Sequence, residues 1–161
     1  MNRSAAARYL HGHETFDRGR DALTGPAVEH EERSEVAKEA PARPRVLVVD
    51  DEDDIRVLLE QELGSAGFEV IAAVDGLHAL RLALAGRPDV LIVDLALPLM
   101  SGAEFLARWR QRTGRDDAPV VVISAHADLI EAARDVRPDA VFRKPFDVHA
   151  LVAAVTEYAR R

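Results

Sequence analysis

Cysteine is absent from the 161 residues, which excludes disulfides, thiolate metal ligands and thiol nucleophiles. That absence fits a reducing compartment. Aromatic residues make up 5% of the chain, with one tryptophan and two tyrosines. Lysine is scarcer still: Lys38 and Lys144 stand alone among many arginines. No uninterrupted apolar run approaches the length of a membrane span, so no membrane insertion is expected. No apolar h-region follows Arg3 and Arg8, so no secretory leader is expected and the chain reads as cytoplasmic. Positive charge is also in deficit. A net charge of -7 and a pI near 5.4 argue against direct nucleic-acid binding through the protein's own field.

What is present is ordinary globular composition, 48% hydrophobic and 30% charged, enough for one domain with one good core. The chain divides in two. Residues 1–44 carry mixed charges, few branched aliphatics and no sustained period, and end in the proline-punctuated APARPR. They are expected to be a mostly disordered extension, with short helices near Ser4–Leu10 or Glu29–Ala40 as the alternative. His11 and His13 there are polar filler rather than a metal pair.

From Arg45 the pattern is regular. Five apolar runs (RVLVVD, FEVIAA, DVLIVDL, APVVVISA, DAVFR) alternate with five stretches of helical spacing, the fourth of them ADLIEAARDV. Strand–helix alternation predicts an α/β domain around a parallel sheet. VLVV, VLIV and VVVI are apolar at every position, as strands covered on both faces must be. Right-handed crossovers with helices on both faces suit the doubly wound order 2-1-3-4-5. Ligands of such sheets bind beyond the carboxyl ends of the strands.

The predicted strand ends hold Asp50 and Asp51, Asp94, Ser124, and Lys144 followed by Pro145. Each has a bland explanation. Asp51, Asp53 or Asp54 suit a helix N-terminus, Asp94 a turn, Ser124 a cap, and Lys144 a surface. Together they need another, because carboxylates delivered to neighbouring positions repel. A hard divalent cation such as Mg²⁺ relieves that repulsion with oxygen ligands. Glu52, Asp53 and Asp54 are expected to be solvated first-turn acids.

VLVVDDE, LIVDLALPLMSG, VVVISA and FRKPF, in this order and spacing, resemble the receiver domain of two-component response regulators. The resemblance covers residues 45–161 and implies a flavodoxin-like fold and phosphorelay signal transduction. It implies Asp94 as phosphoacceptor, with Ser124 and Lys144 contacting the phosphoryl group and the Lys144–Pro145 peptide cis. It further implies Mg²⁺ held by Asp50, Asp51, Asp94 and the backbone carbonyl of Ala96. A phosphoacceptor switch of this kind is not an enzyme in the ordinary sense, although it catalyses its own phosphorylation and dephosphorylation. The implied partners are a sensor histidine kinase or histidine phosphotransfer protein and an unnamed downstream protein. The fourth helix, fifth strand and fifth helix would form an output or weak dimer face.

Two features depart from the family pattern. The aromatic expected three residues before the lysine is replaced by Val141, with Phe142 next to it on the opposite strand face. This predicts a weaker or differently wired coupling to the Ser124 shift. The positions bordering the attacking water are Ala96 and His126. Alanine orients no water, whereas imidazole either shields the phosphoryl group or assists hydrolysis. With no output module expected after the fifth helix, a single-domain regulator acting by protein contact is the favoured function. The alternatives are a phosphate sink, a non-phosphorylated pseudo-receiver scaffold and a haloacid-dehalogenase-type phosphatase. The last is disfavoured because DDED lacks the threonine of DxDxT.

Overall fold

A computed structural model describes residues 42–115 and 118–160. The expected extension at 1–44 therefore lies almost wholly outside the described residues. Five parallel strands pair in the order β2-β1-β3-β4-β5. They are β1 (Arg45–Val49), β2 (Glu69–Ala73), β3 (Val90–Asp94), β4 (Val120–Ser124) and β5 (Ala140–Arg143). Five helices connect and close the sheet: α1 (Asp53–Ser65), α2 (Gly76–Gly86), α3 (Gly102–Thr113), α4 (Ala127–Ala132) and α5 (Val148–Tyr158).

Strand periodicity sorts the apolar runs into two cores. Leu47, Val49, Leu91, Val93, Val120 and Val122 face α2 and α3, where Phe105, Leu106 and Trp109 are fully buried. Val46, Val48, Val90, Ile92, Val121 and Ile123 face the other way, against Leu59 and Leu63 of α1 and Leu151 and Val155 of α5. Each fully buried aliphatic side chain contributes about 1.5–3 kcal/mol, so the three central strands dominate the stability of the sheet. The winding reverses between β1 and β3, and the loops after these strands open there.

Local chemistry sets the helix ends. Asp75, Ser101 and Asp147 cap α2, α3 and α5, accepting backbone N–H bonds from His78, Glu104 and His149. Gly114, at φ 62°, ends α3 in the left-handed region. The helix expected over 127–136 is shorter: α4 stops at Ala132 and a 3-10 turn, Ala133–Val136, follows. The C-cap of α2 is Arg87, at φ 47°, with Pro88 forbidding continuation. Gly102 is required by close approach, since a Cβ there would lie 2.0 Å from the carbonyl oxygen of Asp94. Its absence lets α3 start directly beneath the end of β3.

Candidate functional site

The sheet order brings the C-terminal ends of β1, β3, β4 and β5 to one edge. Asp50 follows β1 and is 0% exposed, while Asp51 turns outward. Asp94 ends β3 at 4% exposure, and Ser124 ends β4 fully buried. Lys144 follows β5, and its backbone N–H bonds the Ser124 carbonyl at 2.9 Å. The next peptide, Lys144–Pro145, is cis.

The Lys144 ammonium is the hub. Its Nζ donates to Asp94 Oδ2 at 2.5 Å and to Glu52 Oε1 at 2.8 Å. Asp50 Oδ2 also lies 2.8 Å away, but off the direction a hydrogen bond requires, so this buried oxygen has an ion-pair partner and no hydrogen bond. Asp50 Oδ1 accepts from the Glu52 N–H at 2.9 Å, and Asp94 Oδ1 from the Ala96 N–H at 2.8 Å. One ligand oxygen each from Asp50, Asp51 and Asp94 lies within 4.8 Å of the others.

These contacts shift the charges. Burial pushes the Asp50 carboxyl above its ordinary value, and the negative Asp94 adds to the rise; Lys144 and the Glu52 N–H oppose it without prevailing. Burial works against the Lys144 ammonium, but its contacts with Asp50, Asp94 and Glu52 outweigh that and raise its pKa. The ammonium is therefore charged at neutral pH. Three acids on one lysine, with Asp51 close to two of them, leave the cluster net negative, and a buried carboxylate oxygen without a hydrogen bond is the donor a hard cation takes up. The donor set fits Mg²⁺.

A family profile described as the response regulator receiver domain matches residues 46–156. The chain belongs to the response regulator receiver family. The receiver domain is 40% identical over 120 residues to the transcriptional regulatory protein PrrA of Mycobacterium tuberculosis, covering 73% of this chain and 51% of PrrA. It thus spans about half the length of that relative. It is 31% identical over 116 residues to sporulation initiation phosphotransferase F of Bacillus subtilis, covering 71% of this chain and 92% of that protein. Among solved structures, the chemotaxis protein CheY4 of Vibrio cholerae superposes with a TM-score of 0.67 at 30% identity, over 73% of this chain and 99% of CheY4. A putative response regulator from Chloroflexus aurantiacus gives 0.68 at 31% identity, over 74% and 100%.

Other positions singled out in this receiver domain fall around the rim. His126 is exposed, and its backbone N–H donates to Ser124 Oγ at 3.1 Å, so the hydroxyl is engaged by its own loop. Val141 is exposed, opposite Val122 on β4, while Phe142 packs into the α1/α5 core. Ala96 is exposed beside Asp94.

Glu52 requires a correction. Expected as a solvated first-turn acid, it is the N-cap residue of α1, makes no side-chain capping bond, and turns its carboxylate to Lys144. Arg56 was not anticipated either. Mostly buried, it donates to the Asp50 carbonyl at 2.7 Å, pairs with Asp53, and so fixes the loop carrying the acid pair. Its place four residues after Glu52, one turn into the helix, was the available signal.

Proposed function

We propose that this receiver domain is a Mg²⁺-dependent phosphoacceptor that takes a phosphoryl group on Asp94 from a histidine kinase or phosphotransfer protein. The observation that carries this is the ammonium of Lys144 at 2.5 Å from Asp94 Oδ2, beside the converging carboxylates of Asp50 and Asp51. Asp50, Asp51, Asp94 and the Ala96 carbonyl would hold the cation, which supplies charge neutralisation for the phosphoryl oxygens. Asp94 is the nucleophile, and Lys144 steadies the transferred group.

A carboxylate replaced by a group nearer −2 offers new acceptors. Ser124 Oγ accepts from the His126 N–H and keeps its own O–H to donate to them, so phosphorylation would draw the loop toward the site and bias it between two arrangements. Val141 lies on the surface near this loop, and its small side chain favours a relay not based on aromatic rotation. A relay acting by protein contact rather than on nucleic acid is supported by the acidic net charge of -7 and by the phosphotransferase matched over most of its length. A hollow of about 420 Å³ beside Lys144, lined by Ile55, Leu58, Pro145 and Phe146 among others, offers an apolar seat for a partner at the site. PrrA, named a transcriptional regulatory protein, favours a second reading in which the same switch serves transcription control.

The test is mass spectrometry of the full chain after Mg²⁺ and acetyl phosphate. One added phosphate that disappears in Asp94→Asn is expected. Gain in both proteins, or in neither, refutes the proposal.

A further inference from the structure

Glu52 is the site residue with no task in the chemistry above. Its side chain is 60% exposed, yet it holds Lys144, ninety-two positions away, at 2.8 Å. An exposed glutamate loses rotamer freedom by settling on one partner. An ammonium has three donors. Here Asp94 and Glu52 take two of them at 2.5 and 2.8 Å and Asp50 lies 2.8 Å away as an ion-pair partner, so three carboxylates crowd the ammonium before any phosphoryl group arrives. Asp50 and Asp94 are buried and cannot turn away without moving strand ends. Glu52 can swing into water, where its charge is solvated at once.

We propose that Glu52 is a positioning residue that parks the Lys144 ammonium at rest and yields it to the incoming phosphoryl group. The inference rests on Asp94 being the phosphoacceptor. In the step itself, an Asp94 carboxylate oxygen bonds to the phosphorus of acetyl phosphate, the phosphorus–oxygen bond to the acetyl group breaks, and acetate leaves with the electron pair. No proton is transferred. Lys144 exchanges the Glu52 carboxylate for a phosphoryl oxygen, so Glu52 competes with the donor for one cation.

Two measurements on the full chain test this, using Glu52→Gln and Glu52→Asp. At saturating Mg²⁺, the acetyl phosphate reaction of Glu52→Gln should rise about threefold, the scale of a half-exposed ion pair. Glu52→Asp keeps the charge but is one methylene too short, and should rise as well. Equal rates in all three proteins, slower rates in the variants, or an aspartate variant matching wild type would each overturn the proposal. The second measurement needs neither donor nor metal. With two lysines in the chain, ¹⁵N-lysine labelling gives two ammonium signals, and Lys144→Met assigns them. Hydrogen exchange at the Lys144 ammonium should quicken in both Glu52 variants at unchanged thermal midpoint; unchanged exchange overturns the contact. If wild type takes no phosphate, the phosphoacceptor reading fails, and the exchange data still decide whether Glu52 holds Lys144.

Discussion

Replacing Lys144 by methionine keeps most of the side-chain volume and removes one charge, which isolates the electrostatics of the site. At 2.5 and 2.8 Å, the contacts with Asp94 and Asp50 each carry a gross attraction of about 6 kcal/mol at an effective dielectric of 20. Glu52, largely exposed, is screened and adds little. Against this stands the desolvation that a side chain 11% exposed no longer suffers once its charge is gone. What remains is the cost of two buried carboxylates without a cation, about 3–5 kcal/mol for a broken buried pair. Urea unfolding at pH 7 in EDTA should therefore show Lys144→Met less stable than wild type by about 3 kcal/mol. In millimolar Mg²⁺ the deficit should fall to less than half, because a divalent cation neutralises the same oxygens and binds the variant without a competing ammonium. An equal deficit in EDTA and Mg²⁺, or a deficit below about 1 kcal/mol in EDTA, would refute the account of Lys144 as the counter-charge of the acid pocket.

Asp50→Asn should stabilise the metal-free protein. The raised carboxyl pKa means the folded state binds its proton more tightly than the unfolded chain, so ionisation costs stability as pH rises through the folded value. The gain should be present at pH 7, vanish as pH falls to the ordinary aspartate range, and be accompanied by loss of Mg²⁺ stabilisation, all readable from thermal melts. Gly102→Ala places a methyl against the Asp94 carbonyl and should lower stability by about 2–4 kcal/mol in urea unfolding; a neutral effect would mean α3 shifts freely. Val141→Ala should leave acetyl phosphate labelling unchanged within about twofold, since Val141 is exposed and outside the acid cluster. If it also kept full phosphorylation-dependent partner binding, Val141 would be no part of the relay.

The sheet was legible because burial on both faces forces unbroken apolar runs, and VLVV, VLIV and VVVI admit no other half-exposed assignment. Order 2-1-3-4-5, one that right-handed crossovers with helices on both faces suit, matches the observed pairing. Asp50, Asp94 and Ser124 could be singled out because polar groups at the ends of buried strands need a partner. Glu52 was not legible for a physical reason. Local sequence places it with the acids that favour a helix start, while its actual partner is distant in the chain and becomes a neighbour only through the sheet. The early end of α4 was also hidden, since ADLIEA and ARDV share one helical pattern. Arg87 in the left-handed region answers to Pro88 rather than to its own preference.

Asp50 belongs to the first strand–helix connection, Lys144 to the last, and Asp94 lies halfway between. Their meeting has a kinetic consequence. Closing contacts between such remote segments comes late, because the loop entropy of the intervening chain is lost before the contact rewards it. A nascent or partly folded chain therefore presents the acids without their lysine. The counter-charge beside Asp94 arrives with Lys144, just after the final strand. Under the proposed function, acceptance of a phosphoryl group would be tied to completion of the fold, and labelling kinetics during refolding would report the docking of β5 as directly as any spectroscopic probe.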